Sequence, residues 1–516
     1  MIWRTDRRGF LKTAGTGFAA AMASPRFAWA ADGDTLRLRV DSDLQVLDPF
    51  GLIGGVEEVI NRCTLVSLIK LGDIRDGNQW QPWGAEKLDW LDDTRLAFTL
   101  REGLVWSGEF GPVTTADVKF SFERFIGSES AWGYQFEKLK EVEVIDDRNG
   151  VIHLTDPFEP FVIVALQGYG GQLVCKAAME KVGGSYTTEI PASCGPYLLD
   201  SWEQQQKITL VANPAWTGVP MAFDRVEIYI VTDDQAALLA YEADAFDYTA
   251  VAVASVDQLK SAMPPDSVLI EAESTRYAWL TINKNAETLK DIKVRQAIQY
   301  AYDGDAVLQG AFNGLVARSA GVIQPSTEFA RKTNLIATRD VDKAKALLAE
   351  AGADGITLNL MTLTDSTSVT IAQIIQASLG EAGINVEIQP TEDAAYWAAG
   401  DKSTGDQYLS LELVLQSFAG GVDPTENLVW FRADQIGIYN WSFFADPAFE
   451  TLYQASLSER DQSRRTEIFN KMEDMMEASG CFVFICFEPL IAIHRDRVKP
   501  VIIADGHPDP ALFERV

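Results

Sequence analysis

Five cysteines and three histidines are the metal-binding and nucleophilic side chains of this 516-residue chain, and their spacing supports neither use. Cys63, Cys175, Cys194, Cys481 and Cys486 contain no CxxC pair, and His153, His494 and His507 lie far apart in the sequence, so no zinc or iron-sulphur ligand set is spelled out. There is no GxSxG turn to expose a serine and no HExxH helix to hold a catalytic metal. Paired glycosidase carboxylates leave no mark among 74 acidic residues, so a secreted hydrolase of that kind stands as an alternative. No motif for covalent catalysis is spelled out, and neither a cofactor nor a metal is expected. Cys481 and Cys486 are five apart in an apolar run, which places them on opposite faces of a strand. That run, Cys481 to Phe487, is too short to cross a bilayer and is cut by Glu488-Pro489, so it reads as a buried strand.

The first thirty residues are an address. Residues 6 to 12 read DRRGFLK, an apolar run follows from Ala14 to Ala23, and Ala28-Trp29-Ala30 supplies a small-residue cleavage site. This is a secretory signal of the twin-arginine type. No cysteine follows the apolar run to accept a lipid, so the expected product is free in the periplasm and not a lipoprotein. The chain carries a formal charge of −30, and the signal holds five basic residues and one acidic one, so the processed protein is near −34. Such acidity excludes a nucleic-acid partner and suits solubility or the steering of cationic solutes. The length exceeds one ordinary core and implies two or more domains.

Local patterns specify an α/β fold. In the stretch Gly84 to Phe125, Leu96, Phe98 and Leu100 alternate with Arg95, Ala97 and Thr99, and Asp92-Asp93 supplies the turn of a hairpin. Thr114 followed by Asp117 is a capping-box pattern opening a helix with Val118, Phe122 and Phe125 on one side. Farther on, Ala344, Leu347, Leu348 and Ala351 share a helix face closed by Gly352, and Ile356, Leu358 and Leu360 then alternate. A second helix through Ile371, Ile374, Ile375 and Leu379 stops at Gly383, and Ile384, Val386 and Ile388 alternate again. That is the pattern of a parallel crossover.

The Gly84 to Phe125 string closely resembles the signature of the family 5 extracellular solute-binding proteins, the peptide- and nickel-binding receptors of ABC importers, which run "tytFtLRegvkWsdG…vtAdDVvfSfer". Phe98, Leu100, Arg101, Trp106, Ser107, Asp117, Val118, Phe120, Ser121 and Phe122 occupy the matching places. Asn283, Asp291 and Val294 to Ile298, the string Ser193 to Tyr197, Asn213-Pro214 and Asn440 to Glu450 match further family segments, in order along the chain. The resemblance implies a two-lobed periplasmic-binding-protein fold of type II with an extra domain on the first lobe. Residues 31–52, 188–276 and 488–516 would form lobe I, 53–187 the extra domain and 277–487 lobe II. It also implies a monomer that captures a small solute between the lobes and delivers it to a permease and ATPase complex, without enzymatic activity. A chaperone-like periplasmic role is the other alternative.

By position in the family, the cleft is lined by Leu47-Asp48-Pro49, by Trp132 and Tyr134, by the loop Ser417 to Pro424, and by the segment Tyr439-Asn440-Trp441. The candidate ligand contacts are therefore Asp48, Trp132, Tyr134, Phe418, Gly420, Gly421, Asn440 and Trp441, the two glycines because a ligand can approach such a loop closely. Asp423 before Pro424 reads as a helix N-cap. Cys175 and Cys194 flank the implied return between domains, and two readings stand for them: a disulfide or two buried thiols. Two departures bear on the ligand. Peptide-binding relatives commonly place an Asp for the peptide amino group four residues before the Pro of this loop, where Gly420 stands here. The 361–365 loop, Met361 to Asp365, lacks the Arg that dipeptide-binding relatives use for the terminal carboxylate. A buried charge without a partner costs several kcal/mol, so ordinary dipeptides are expected to bind weakly. A cationic solute would call on Asp48 or Asp365, and rings at Trp132, Phe418 and Trp441 would stack equally on a sugar or a heterocycle.

The export reading has a direct check. Replacing Arg7 and Arg8 by lysine is expected to abolish periplasmic accumulation, because the pair is read by a receptor and not by the bilayer; normal periplasmic yield of the doubly substituted protein would contradict it.

Overall fold

A computed structural model describes residues 35–51, 54–77 and 79–516. The twin-arginine string, the apolar run and the cleavage site lie outside the described residues. A ten-stranded mixed sheet runs through the molecule, and its two longest strands, Ser267–Ile282 and Phe482–Arg495, lie side by side at its centre. On one side follow Tyr248–Ala250, Thr35–Val40, Arg225–Ile230, Lys207–Ala212 and Tyr197–Glu203; on the other follow Leu413–Ala419, Thr357–Leu363 and Asn385–Thr391.

The central pair is antiparallel, and its ladder has a break. Ser267 to Glu273 pair with Arg495 to Pro489, pairing then resumes from Tyr277 opposite Phe487, and Ser274, Thr275 and Arg276 face Glu488 alone. Glu488-Pro489 therefore does not end the strand, as the sequence suggests, but marks this bulge, where a proline without an N–H costs no ladder bond. Side chains replace the lost pairing. Ser274 Oγ donates to the Glu488 carbonyl at 2.7 Å, and Thr275 Oγ1 lies 2.6 Å from the carbonyls of both Gly420 and Ala504.

Each side of the break has a core of its own. One gathers Leu36, Leu38, Val59, Ile60, Ile208, Leu210, Val226 and Ile228; the other gathers Leu280, Ile282, Ile298, Leu358, Leu360, Ile375, Leu379 and Ile485. A third, larger cluster, from Leu65 and Phe122 to Trp279 and Phe482, joins the part that carries a smaller sheet to the part beyond the break. The crossover read from the sequence is present: helix Ser366–Glu381 connects Thr357–Leu363 to the parallel strand Asn385–Thr391, and Gly352 and Gly383 close their helices at φ of 66° and 87°. Cys481 precedes the strand, which starts at Phe482, and packs in an aromatic cluster; Cys486 packs in the second core beyond a register shift, so the five-residue spacing does not set their placement.

A separate four-stranded antiparallel sheet is built from Ala85–Asp92, Arg95–Leu100, Asn149–Leu154 and Leu139–Val144. Helix Thr115–Glu123 packs beside it and opens with the expected capping box. The Asp117 carboxylate accepts the Thr114 amide at 2.9 Å, the Trp106 indole N–H at 3.2 Å and the Lys176 amide at 2.9 Å. One acid thus ties the hairpin loop, the helix start and a segment some sixty residues on, which is why Trp106, Thr114 and Asp117 occur at their spacing. Cys175 and Cys194 are free thiols here, so the disulfide reading gives way to that of two buried thiols. The Cys175 sulfur faces the amides of Ala177 and Ala178, and that of Cys194 faces the backbone of Val66.

Two glutamates are fully buried within the fold. Glu58 stands 3.0 Å from Arg62, whose guanidinium also meets Asp505 at 3.0 Å, yet burial pushes the Glu58 carboxyl up to about 7. Glu473 accepts the amides of Val322 and Ile323 at 2.7 and 3.0 Å and is likewise raised by burial to about 7. Both values lie above the 4.5 of an unperturbed glutamate, so the folded protein holds protons that the unfolded chain releases. Their contribution is complete below pH 4.5 and is lost as pH rises toward 7. Thermal stability is therefore expected to fall from pH 5 to 7, by up to about 1.4 kcal/mol per pH unit for each group, and Glu473→Gln should flatten the slope. A melting temperature that rises across this range would contradict the assignment.

Candidate ligand site

The loop after strand Leu413–Ala419 turns into helix Pro424–Leu428, and the first helical turn explains its own position. Pro424 sits at the first helical place, Asp423 caps the helix by accepting the Thr425 amide at 3.0 Å, and Arg465 clamps the Asp423 carboxylate at 2.7 and 2.9 Å. A 3₁₀ turn, Val429–Phe431, extends the helix, so Glu426 and Trp430, four residues apart, lie on one face.

Trp430 is the hub of an aromatic cluster. Tyr439, Tyr134, Phe418 and Trp132 all meet it edge to face, with centroids at 4.9, 5.2, 6.3 and 6.5 Å. Trp132 stacks on Tyr169 at 4.3 Å and 6° between planes, and Trp397 lies against Phe418 at 5.8 Å. Trp132, Tyr134 and Tyr169 come from the part of the chain that carries the four-stranded sheet; Trp397, Phe418, Trp430 and Tyr439 come from the part beyond the ladder break. Tyr134, Tyr169, Trp397 and Tyr439 are only half-buried and give the cluster a wet edge. Around it the same two parts are joined by polar contacts: Arg432 to Glu137 at 3.5 Å, Lys138 to Gln454 at 3.1 Å, and Arg460 to Asp93 and Glu159 at 2.7 and 3.0 Å.

Glu426 completes the site. Its carboxylate accepts the Asp423 amide at 3.3 Å and occupies the space beside Gly421, where a Cβ would come within 1.9 Å of Oε2. Burial, together with the neighbouring charge of Asp423, pushes this carboxyl up to about 8. Among the described residues no lysine, arginine or histidine pairs with it, and its charge is felt by the Tyr134 phenol.

The structure brings Trp132, Tyr134 and Phe418 together, as the sequence reading expects. Trp132 is further fixed by its indole N–H, which donates to the Gly51 carbonyl at 2.9 Å. The other expected residues are engaged by the protein itself. Asp48 is buried against Arg124, at 2.8 and 3.0 Å, and accepts the Phe50 amide. Gly420 and Gly421 leave room for Asn427 and Glu426 respectively. Asn440 is buried and donates to the carbonyls of Phe431, Arg432 and Phe444, which shapes the loop. Trp441 is buried, donates to the Ile438 carbonyl at 2.8 Å and packs on Tyr396, Trp397 and Gly400. Asp365, the alternative acid, caps helix Ser366–Glu381 by accepting the Ser368 amide at 2.9 Å. The sequence reading misses Tyr169, Trp397, Trp430 and Glu426. Only the i, i+4 spacing of Glu426 and Trp430 behind the Gly420-Gly421 pair gives a local signal. Elsewhere, a cavity of about 10 Å³ beside Arg62, Lys70, Trp83 and Asp509 has room for one water.

The profile of the bacterial extracellular solute-binding proteins, family 5 (middle), matches residues 79–435. The chain belongs to this family. Family 5 proteins are transport receptors of ABC importers and not enzymes, and their named relatives are periplasmic. This family 5 receptor is 24% identical over 467 residues to the probable D,D-dipeptide-binding periplasmic protein DdpA of Escherichia coli, covering 88% of this chain and 89% of that protein. It is 24% identical over 504 residues to the periplasmic oligopeptide-binding protein OppA of Salmonella typhimurium, covering 90% and 89%. Among solved structures, it is similar to a Pseudoalteromonas dipeptide-binding protein in complex with Met-Leu, at a TM-score of 0.83 and 17% identity over 93% of this chain and 100% of that one. It is equally similar in fold to MoaA of A. tumefaciens in complex with mannopinic acid, at a TM-score of 0.83 and 21% identity over 93% and 99%. The fold of this family 5 receptor is the two-lobed type II arrangement.

The packing role of Trp441 is open to test through its neighbour. A Cβ on Gly400 would lie 1.8 Å from the Trp441 ring, so Gly400→Ala is expected to lower stability by about 1–3 kcal/mol in urea titration. An unchanged midpoint would show that the ring is free to move aside.

Proposed function

We propose that this protein captures one small organic solute between its lobes and hands it to the permease of an ABC importer in the inner membrane. It is exported by the twin-arginine route, released without a lipid anchor and works as a monomer. The observation that carries this reading is the aromatic cluster around Trp430, built half from each side of the boundary between the second lobe and the rest of the chain. The lobes are residues 31–52, 188–276 and 488–516, and residues 277–487, with 53–187 as the extra domain on the first. What supports this division is the ladder break at Ser274–Arg276 and Glu488, which lies near the proposed boundaries on the two long strands Ser267–Ile282 and Phe482–Arg495. A bulged pair of strands can bend without disturbing either core, as closure around a ligand requires.

The solute is not an ordinary dipeptide held by its termini. Relatives and structural neighbours carry the names of peptide, opine and nickel-histidine binders, so the family scaffold takes ligands of several chemistries. In this chain Gly420 offers no carboxylate and the 361–365 loop no guanidinium, and an unpaired ligand terminus in a buried cleft costs several kcal/mol. Native mass spectrometry of the protein purified from its own periplasm should show one solute per chain, recovered chemically unchanged, and its re-addition should raise the melting temperature by mass action. Ordinary dipeptides at millimolar concentration should leave that temperature unmoved. Turnover of the bound solute, or large shifts with several dipeptides, would overturn the reading.

A further inference from the structure

Of the acids near the site, Glu426 is met by backbone alone: it is the second acid of the capping box and accepts the Asp423 amide at 3.3 Å, with no cation to neutralise it among the described residues. Asp48 is paired with Arg124, Asp423 with Arg465, and Asp365 caps a helix. Glu426 is buried, has no cation beside it among the described residues, and stands on the same helix face as the ring at the centre of the cluster. An ionised carboxylate left in such a place is costly, so in the free protein the group keeps its proton. Ring faces are electron-rich and attract positive charge, most strongly those of tryptophan. Seven aromatic side chains with one buried acid that backbone amides hold but no cation neutralises favour a ligand that brings the missing charge. An anion would meet Asp423 and Glu426 with Arg465 already engaged, and a neutral solute would leave the acid as it is.

We propose that the captured solute is an organic cation, a quaternary ammonium, amine or guanidinium with apolar flanks, seated against the Trp430 cluster with Glu426 as its counter-ion. This rests on the receptor reading above and names the ligand class for that site. Binding of the cation then displaces the Glu426 proton to the buffer, leaving carboxylate and cation paired, with no bond made or broken in the solute. The titratable groups facing Glu426 are Asp423 on its own helix and the Tyr134 phenol from the opposite side, with Arg465 behind Asp423. Asp423 is held in an ion pair by Arg465 and burial raises the Tyr134 phenol, so Glu426 is the group that releases the proton. Since its free-state value is about 8, affinity for a cation should rise with pH below 8, up to about tenfold per unit, and level above it.

Titration calorimetry on the full mature chain tests this with two matched pairs: choline against 3,3-dimethylbutan-1-ol, and tyramine against 4-ethylphenol. The expected result is that at least one cation binds ten times or more tightly than its neutral isostere and releases close to one proton when buffers of different ionisation enthalpy are compared. Glu426→Gln, which keeps the shape and the cap acceptor, should weaken the cation at least tenfold, abolish the proton release and leave the melting temperature of the free protein no lower. Equal binding of cation and isostere, tight cation binding unaffected by Glu426→Gln, or failure of both cations to bind would overturn the proposal. The two readings fail separately: a neutral or anionic co-purified solute, bound one per chain, would keep the receptor and discard the cation.

Discussion

Two β-strands carry both halves of this molecule, and the break in their ladder is the constraint on which the rest depends. Ile270 belongs to one core and Ala278, Leu280 and Ile282 to the other, and the three residues between Glu273 and Tyr277 face Glu488 without regular pairing. Because the bulge leaves backbone groups without ladder partners, Thr275 and Ser274 satisfy them through Gly420, Ala504 and Glu488. The loop that starts the Trp430 helix is thereby tied to the crossing point itself. Any change of angle between the halves moves Gly420, and with it the Glu426 and Trp430 face.

What holds the two sides of the site together is a continuous cluster of buried side chains, in which Trp132 and Phe136 lie with Phe418, Trp430 and Phe482, joined by smaller ring and ion pairs. Edge-to-face ring pairs contribute about 0.5–1.5 kcal/mol each beyond their burial. The exposed ion pairs of Arg460 with Asp93 and Glu159 contribute about 0–1 kcal/mol each. Contacts of this size suit a protein whose two states must differ by only a few kcal/mol, so that a ligand preferring one of them decides the population.

The elements of the fold were legible where a periodic face met a capping signal. Thr114 with Asp117, Gly352 after Leu348, and Gly383 after Leu379 each mark a boundary that the structure keeps. The strand through Glu488-Pro489 was misread as ending there, because the partner that tolerates the proline lies more than two hundred residues away. The site was legible in part for the same reason. Trp132, Tyr134 and Phe418 were reached by position, but Trp430 owes its role to rings arriving from residues 132 to 439, and no local pattern records that meeting. In the fold Asp48 meets Arg124, Asn440 three carbonyls and Trp441 the backbone at Gly400, packing roles that position in the family does not record. Gly421 is glycine because Glu426 fills the place of its side chain, a long-range reason that reads locally as a flexible loop.

The account turns on the two halves moving as rigid bodies about the ladder break. All five native cysteines are buried, and burial raises their thiols, so an engineered exposed pair can be labelled selectively. The most direct measurement is a spin-label distance between Glu242→Cys and Lys345→Cys, one in each half, with control pairs inside each half, recorded without and with the co-purified solute. The account predicts that the distance between halves shifts to a single shorter population on binding while both control distances stay fixed. An interhalf distance that does not respond to bound solute, or control distances that change with it, would contradict a hinge at Ser274 to Arg276.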